Sequence, residues 1–230
     1  MCVRALCLAA FLAWPGVAEP APAPPVGLPA TGEIVSSHLA VRAAPGSHTR
    51  VLRVLHQFRQ DGQFDVVLAI RAEKTADGAW WYELSLPGRP NGQRGWVRGD
   101  LVDLSPAVNR IVVHVAERRI EVRRISDDRV LLSAVVAVGK PGTETPLGRD
   151  YYVQARYVPS DPFYGTFVLV TTASSKLPDW PDGGFAGIHG TDQPGLLGEA
   201  VSHGCVRVSN AVARALERLA PLGSPVDLLP

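Results

Sequence analysis

Apolar and polar positions alternate in short runs along most of the chain, and turn residues separate the runs. Between Gly32 and Leu104 the apolar stretches fall at Leu39–Val41, Val51–Leu55, Phe64–Ile70, Trp80–Leu86 and Gly95–Val97. They are punctuated by Ala44-Pro45-Gly46-Ser47, Asp77-Gly78 and Pro90-Asn91-Gly92. Runs of this length, bounded by Gly, Pro, Asn and Asp, predict the strands of a small all-β barrel over residues 31–105. No long helical period interrupts them.

A second set of runs begins at Asn109: Ile111–Val115, Arg119–Ile125 and Val130–Val138, then Tyr151–Val158 and Thr166–Thr172. Two of the first three alternate apolar and polar over part of their length, as half-buried strands do. Ala173 to Phe185 carries Ser, Pro, Asp and Gly around Trp180 and predicts a long loop or lid. A helix is predicted only near the end. Val212, Leu216 and Leu219 recur at i, i+4 and i+7, with Ser209 placed as N-cap and Pro221 as the stop. The expected fold class is mainly β: a small barrel, then a second β domain over 109–230 with a short C-terminal helix.

The N-terminus follows another pattern. Met-Cys-Val-Arg precedes an apolar run from Ala5 to Trp14, with small residues at Gly16 and Ala18. This predicts a secretory signal peptide over residues 1–18. The run is shorter than the roughly 20 apolar residues that span a bilayer, so no membrane span is expected after cleavage. Residues 19–30 are rich in proline and predict an extended linker.

Composition narrows the function classes. Hydrophobic residues make up 46% of the 230, too many for a disordered chain. Lys and Arg number 23 against 22 Asp and Glu, and Arg4 leaves with the signal peptide. A balanced chain lacks the basic footprint of a nucleic-acid binder, so no nucleic-acid partner is expected. Gly139-Lys140-Pro141-Gly142-Thr143 follows an apolar run but lacks the Walker spacing, which removes a phosphate-loop reading.

Cysteine changes the picture most. Two of the three, Cys2 and Cys7, fall in the expected signal peptide, leaving Cys205 without a partner in its own chain. In an oxidising compartment a lone thiol is an intermolecular link, a reactive group or a small buried hydrophobe. Its neighbours favour reactivity. Ser202-His203-Gly204-Cys205-Val206-Arg207 follows Gly187-Ile188-His189-Gly190-Thr191, so two of the six histidines lie close to Cys205 in sequence.

A cysteine nucleophile needs a base, because an unperturbed thiol is only a few per cent thiolate at neutral pH. His203 shares a face with Cys205 on an extended backbone but is tied to the same strand. His189 is distant enough in sequence for a loop to bring it into line with the sulfur. This reading makes His189 the base and the Gly204 and Cys205 amides the oxyanion donors. Zinc held by His189, His203 and Cys205 is an alternative, without a supporting His-Glu-x-x-His helix.

Two family resemblances rest on these residues. Leu39 to Gly46, Asp77 to Leu84 and Arg94 to Leu101 resemble the bacterial SH3 domain, which implies an accessory module that binds cell wall or peptide. Residues 110–228 resemble the YkuD-type L,D-transpeptidase catalytic domain through three segments: Val138-Gly139-Lys140 with Thr145 to Arg149, Ile188 to Thr191, and Ser202 to Arg207. Pro146-Leu147 departs from that pattern, where a second threonine is common.

The second resemblance implies a β-sandwich-like domain with Cys205 as nucleophile in a cleft beneath a mobile lid. His189 would be the base, oriented by the Gly190 carbonyl, with His203 and Gly204 shaping the oxyanion hole. Ser202 and Arg207 would brace the loop or touch substrate. The aromatic-rich stretch 157–185 does not align with the family, and there Tyr164 and Trp180 are read either as lining the lid or as ordinary aromatic contacts. No cofactor or metal is implied. The implied partners are peptidoglycan stem peptides and an amine acceptor, and the implied location is the periplasm or cell wall. An L,D-carboxypeptidase and a non-catalytic wall-binding protein are the competing expectations.

Overall fold

A computed structural model describes residues 24–59, 62–177 and 184–230. The expected signal peptide, the first part of the linker and Trp180 lie outside the described residues. Strands account for 48% of the described residues and helical turns for 10%, so the protein is mainly β.

Seven strands form the first sheet: β1 (Ala30–Ile34), β2 (His38–Arg42), β3 (Val51–His56), β4 (Val66–Lys74), β5 (Trp80–Ser85), β6 (Arg94–Arg98) and β7 (Val102–Pro106). Their spatial order is β3-β2-β6-β5-β4-β1-β7, and every pairing is antiparallel. Alternation sends Leu39, Val41, Val67, Ala69, Leu84 and Val97 into one core. The linker expected over 19–30 ends early. Ala30 is fully buried in β1, and Val26 and Leu28 pack on the same core. A proline-rich stretch can dock in extended form because each Pro lacks only a donor, and the Pro29 carbonyl accepts from Ala107 N–H at 2.9 Å.

The rest of the chain forms β8 (Asn109–His114), β9 (Arg119–Arg124), β10 (Val130–Val135), β11 (Val138–Gly139), β12 (Gly148–Tyr157), β13 (Val168–Ser174), β14 (Phe185–His189), β15 (Ala200–Ser202), β16 (Val206–Arg207) and β17 (Pro225–Leu229). Eight of these make a second sheet in the order β10-β9-β8-β17-β12-β13-β14-β16, while β11 and β15 form a separate parallel pair. Among the described residues one α-helix, α1 (Asn210–Leu219), closes the core. It is capped by the Ser209 hydroxyl, which accepts from Val212 N–H at 3.2 Å.

The C-terminal strand lies in the middle of the second sheet. β17 runs parallel to β8 and antiparallel to β12, with Val226 and Leu228 in the core. Between them Asp227 is 1% exposed, which only paired charge can sustain. Arg110 reaches it at 3.2 Å and Arg149 at 3.5 Å, and Asp150 N–H donates to it at 3.0 Å.

The loop expected from Ala173 starts later than the polar residues suggest. β13 continues to Ser174, every residue of the strand is buried, and Ser175 N–H still donates to Gly184 O at 2.8 Å. The two sheets also touch. Tyr152 of β12 packs with Val66 and Leu68 of β4, and Arg94 of β6 meets Asp150 at 2.8 Å.

Candidate active site

The register at the edge of the second sheet builds the site. β14 pairs in parallel with β16, Ile188 opposite Val206 and His189 opposite Arg207. Paired residues share a face and neighbours along a strand alternate. Ile188 and Val206, each 1% exposed, therefore anchor the core. Gly187, His189, Cys205 and Arg207 fall on the opposite face. Gly187 N–H donates to Cys205 Sγ at 3.3 Å. A Cβ placed on Gly187 would lie 3.8 Å from that sulfur and 3.9 Å from His189 Cδ2, so thiol and imidazole both border the space above Gly187.

His189 is 2% exposed. Its Nδ1 lies 2.6 Å from Gly190 O, and a carbonyl can only accept, so Nδ1 carries the proton. In the neutral ring Nε2 then holds the lone pair. Burial pushes the imidazole pKa down to about 4. The Gly190 bond opposes that shift, and the Arg207 charge adds to it. The ring is thus neutral at physiological pH and can accept a proton.

Cys205 is partly exposed, at the end of a tight turn. Ser202 Oγ closes the turn, donating to Cys205 O at 2.5 Å and accepting from Gly204 N–H at 3.1 Å. This corrects the expectation that the Gly204 amide faces a substrate carbonyl. A short hydroxyl two residues upstream captures it within the turn. What the position demands of glycine is conformation and space. Its φ is +115°, and a Cβ there would sit 3.3 Å from Ser175 Cβ. From beneath, Lys140 N–H and the Thr143 hydroxyl both donate to Ser202 O, at 3.0 and 3.2 Å.

A cover comes from the 3₁₀ turn Pro162–Tyr164. Tyr164 meets the His189 ring edge-on at 5.0 Å between centroids, and Phe163 lies 4.6 Å beneath the Arg207 guanidinium. Arg207 is 6% exposed, and its Nε finds no hydrogen-bond partner among the described residues. Phe163, Tyr164, His189, Ser202, His203, Cys205 and Arg207 line one cleft of about 10 Å³. The structure therefore brings together Cys205, His189, His203, Ser202, Arg207 and Tyr164, with the Gly190 carbonyl beside the ring and Gly204 below the turn. Among the described residues, no three His, Cys, Asp or Glu side chains come close enough to hold a metal ion.

Sequence reading missed three contributors. Gly187 was visible only as a neighbour of His189, because its role depends on strand register. Phe163 gave no signal beyond lying in an aromatic stretch. Asn210 marked only a helix start, yet its Oδ1 accepts from Thr166 N–H at 3.1 Å and Thr191 N–H at 3.2 Å, while Nδ2 donates to Thr191 O at 3.1 Å. It thereby ties the cover to the segment after His189.

A mainly-β protein with a histidine and a cysteine side by side at a sheet edge belongs to the class in which a thiol–imidazole pair is the candidate chemistry. Residues 108–228 match the sequence model of the YkuD family, the L,D-transpeptidase catalytic domain, and the chain belongs to that family. It is 33% identical over 102 residues to YkuD of Bacillus subtilis, covering 44% of this chain and 56% of that protein. It is 33% identical over 121 residues to YkuD of Bacillus licheniformis, covering 53% and 66%. The chain thus spans between about half and two thirds of these relatives' length. Among solved structures, L,D-transpeptidase 3 from Mycobacterium tuberculosis with a faropenem-derived adduct aligns at 16% identity over 72% of this chain and 91% of that one, TM-score 0.48. An L,D-transpeptidase from Mycobacterium smegmatis aligns at 17% identity over 71% and 99%, TM-score 0.45.

Proposed function

We propose that the protein is a peptidoglycan L,D-transpeptidase working through Cys205, outside the cytoplasm in the periplasm or cell wall. The observation that carries this reading is the shared face of β14 and β16, where a neutral, tautomer-fixed imidazole and a thiol both border Gly187.

His189 Nε2 takes the thiol proton as Sγ attacks the carbonyl carbon of the third residue of a tetrapeptide stem. The Ser202–Cys205 turn shapes the oxyanion hole. As the C–N bond to the terminal D-alanine breaks, the leaving amine takes the proton from His189 and a thioester remains. A side-chain amine of a neighbouring stem then attacks the thioester and loses its proton to His189. The imidazolium returns that proton to the departing sulfur, restoring the thiol and leaving a 3→3 cross-link. No cofactor enters these steps. Arg207, buried with no Nε partner among the described residues, braces Phe163 and supplies positive charge for a stem carboxylate, and Tyr164 closes over the histidine. The first sheet is read as an SH3-like module carried by the same chain.

Mass spectrometry with a carbapenem tests the nucleophile. A covalent adduct on the wild type that is absent from Cys205→Ala supports the reading; no wild-type adduct, or an undiminished one on the variant, sinks it. Chromatography of muropeptide products identifies the acceptor, dimers reporting an amine and trimmed monomers reporting water.

A further inference from the structure

The loop between β5 and β6, in the first sheet, reaches the second sheet directly below the cysteine turn. β12 pairs with β13 only as far as Thr171. Beyond that point the Asn91 carboxamide engages both main-chain groups of Ser174. Its Oδ1 accepts from Ser174 N–H at 2.8 Å, and its Nδ2 donates to Ser174 O at 2.9 Å. Arg89 Nη2 donates to Ser175 O at 2.6 Å. Ser174 and Ser175 are 6% and 7% exposed, so their main-chain groups need partners, and a side-chain amide here acts as a missing strand.

Ser175 is the floor of the cysteine turn. Its Cβ lies 3.3 Å from where a Cβ on Gly204 would be built, so Ser175 sits directly beside the Gly204 backbone with little room for a side chain between them. Gly204 is held in turn by Ser202, whose hydroxyl also fixes the Cys205 carbonyl. The chain of contact runs from Asn91 and Arg89 through Ser174 and Ser175 to Gly204 and Cys205. Other contacts join the sheets away from this path, among them Arg94 with Asp150 and Tyr152 with Val66 and Leu68. Losing Asn91 therefore leaves the sheets joined and unpairs Ser174 on its open side under the turn, while Ser175 N–H stays on Gly184 O.

We propose that Asn91 and Arg89 are positioning residues for acyl transfer, through which the first sheet holds the Ser202–Cys205 turn in its reactive geometry. The inference rests on the acyl-transfer reading above. It makes the first sheet a working part of the active site, whatever else it binds.

Two thiol reagents separate this role from general stability, applied to full-length Asn91→Ala, Asn91→Asp, Arg89→Ala and Arg89→Lys. Iodoacetamide reacts by simple displacement at sulfur, whereas a carbapenem must build an oxyanion against the turn. Asn91→Ala and Arg89→Ala should slow carbapenem acylation by about ten- to hundredfold and leave alkylation unchanged. Arg89→Lys, which keeps a donor for Ser175 O, should recover most of the rate. Asn91→Asp, which keeps only the acceptor, should fall between. Deuterium exchange at the Gly204 and Cys205 amides should quicken in the alanine variants, and Arg94→Ala should match the wild type in every measurement. Equal slowing of both reagents, unchanged acylation, or unchanged exchange at Gly204 and Cys205 overturns the proposal. If the wild type itself resists the carbapenem, the acyl-transfer reading fails, and exchange at those amides still decides whether Asn91 holds the turn.

Discussion

An imidazole that is 2% exposed, with its Nδ1 proton on the Gly190 carbonyl, keeps one ring nitrogen for chemistry and resists charging. Its folded pKa of about 4 lies below the ordinary 6.5. Between those values the unfolded chain binds more protons than the folded one. Stability from this group is therefore complete above pH 6.5 and declines as pH falls toward 4, by up to about 3 kcal/mol. Urea unfolding of wild type and His189→Gln across that window should show the extra slope only in the wild type. An NMR midpoint for His189 near 6.5 would contradict it. Gly187 makes a second prediction at this scale. A methyl there meets both Cys205 Sγ and His189 Cδ2 at ordinary contact distance, so Gly187→Ala should fold normally. Beside both proposed reacting groups it should crowd the approach of an acyl donor, and carbapenem acylation should slow by about tenfold or more. Cys205 and His189 stood out in the sequence because a lone thiol near histidines has few competing readings. Gly187, Phe163 and Asn210 did not, since each acts only through a partner that the fold supplies.

Whole elements were legible in proportion to how local their signals are. α1 carries its period, its cap and its stop in one short stretch, and five of the seven strands of the first sheet announce themselves as apolar runs between turn residues, whereas β1 and β7 do not. β17 does not: it opens on Pro225 and carries Asp227, and the distant Arg110, Arg149 and Asp150 N–H make that charge tolerable in a central strand. β16 is two residues long and owes its existence to pairing with β14. β13 was expected to yield to a loop at Ala173, because the serines that follow look like turn formers until Asn91 provides their partners. The start of α1 makes a prediction of its own. Asn210 satisfies two N–H groups and one carbonyl on the segments after Tyr164 and His189. Asn210→Ala should lower stability by about 2–4 kcal/mol, and Asn210→Asp, which keeps the acceptor, by less. Denaturant midpoints at constant m-value measure both, and equal losses would show that the acceptor bonds contribute little.

At the scale of the molecule, the sequence separates two sets of strands near residue 108 but says nothing of how they meet. The structure leaves no flexible spacer between them. β7 ends at Pro106 and β8 begins at Asn109, while Ala107 N–H donates to Pro29 O and Val108 O accepts from Ile125 N–H, each at 2.9 Å. Across the contact Tyr152 is 2% exposed against Leu68 at 0%, and Gly223 approaches Thr31 so closely that no side chain fits there. Two cores joined by a buried aromatic and a short rigid connection should unfold together. Calorimetry of the wild type is expected to give one transition with equal calorimetric and van't Hoff enthalpies. Tyr152→Ala removes the largest side chain of the shared cluster, at a cost of about 3 kcal/mol that falls mostly on the junction. Its transition should broaden or split, with the van't Hoff enthalpy below the calorimetric one, while Cys205 stays open to alkylation. Two separate transitions in the wild type would show that the sheets fold independently. The hold of Asn91 on the cysteine turn would then depend on a contact that opens on its own.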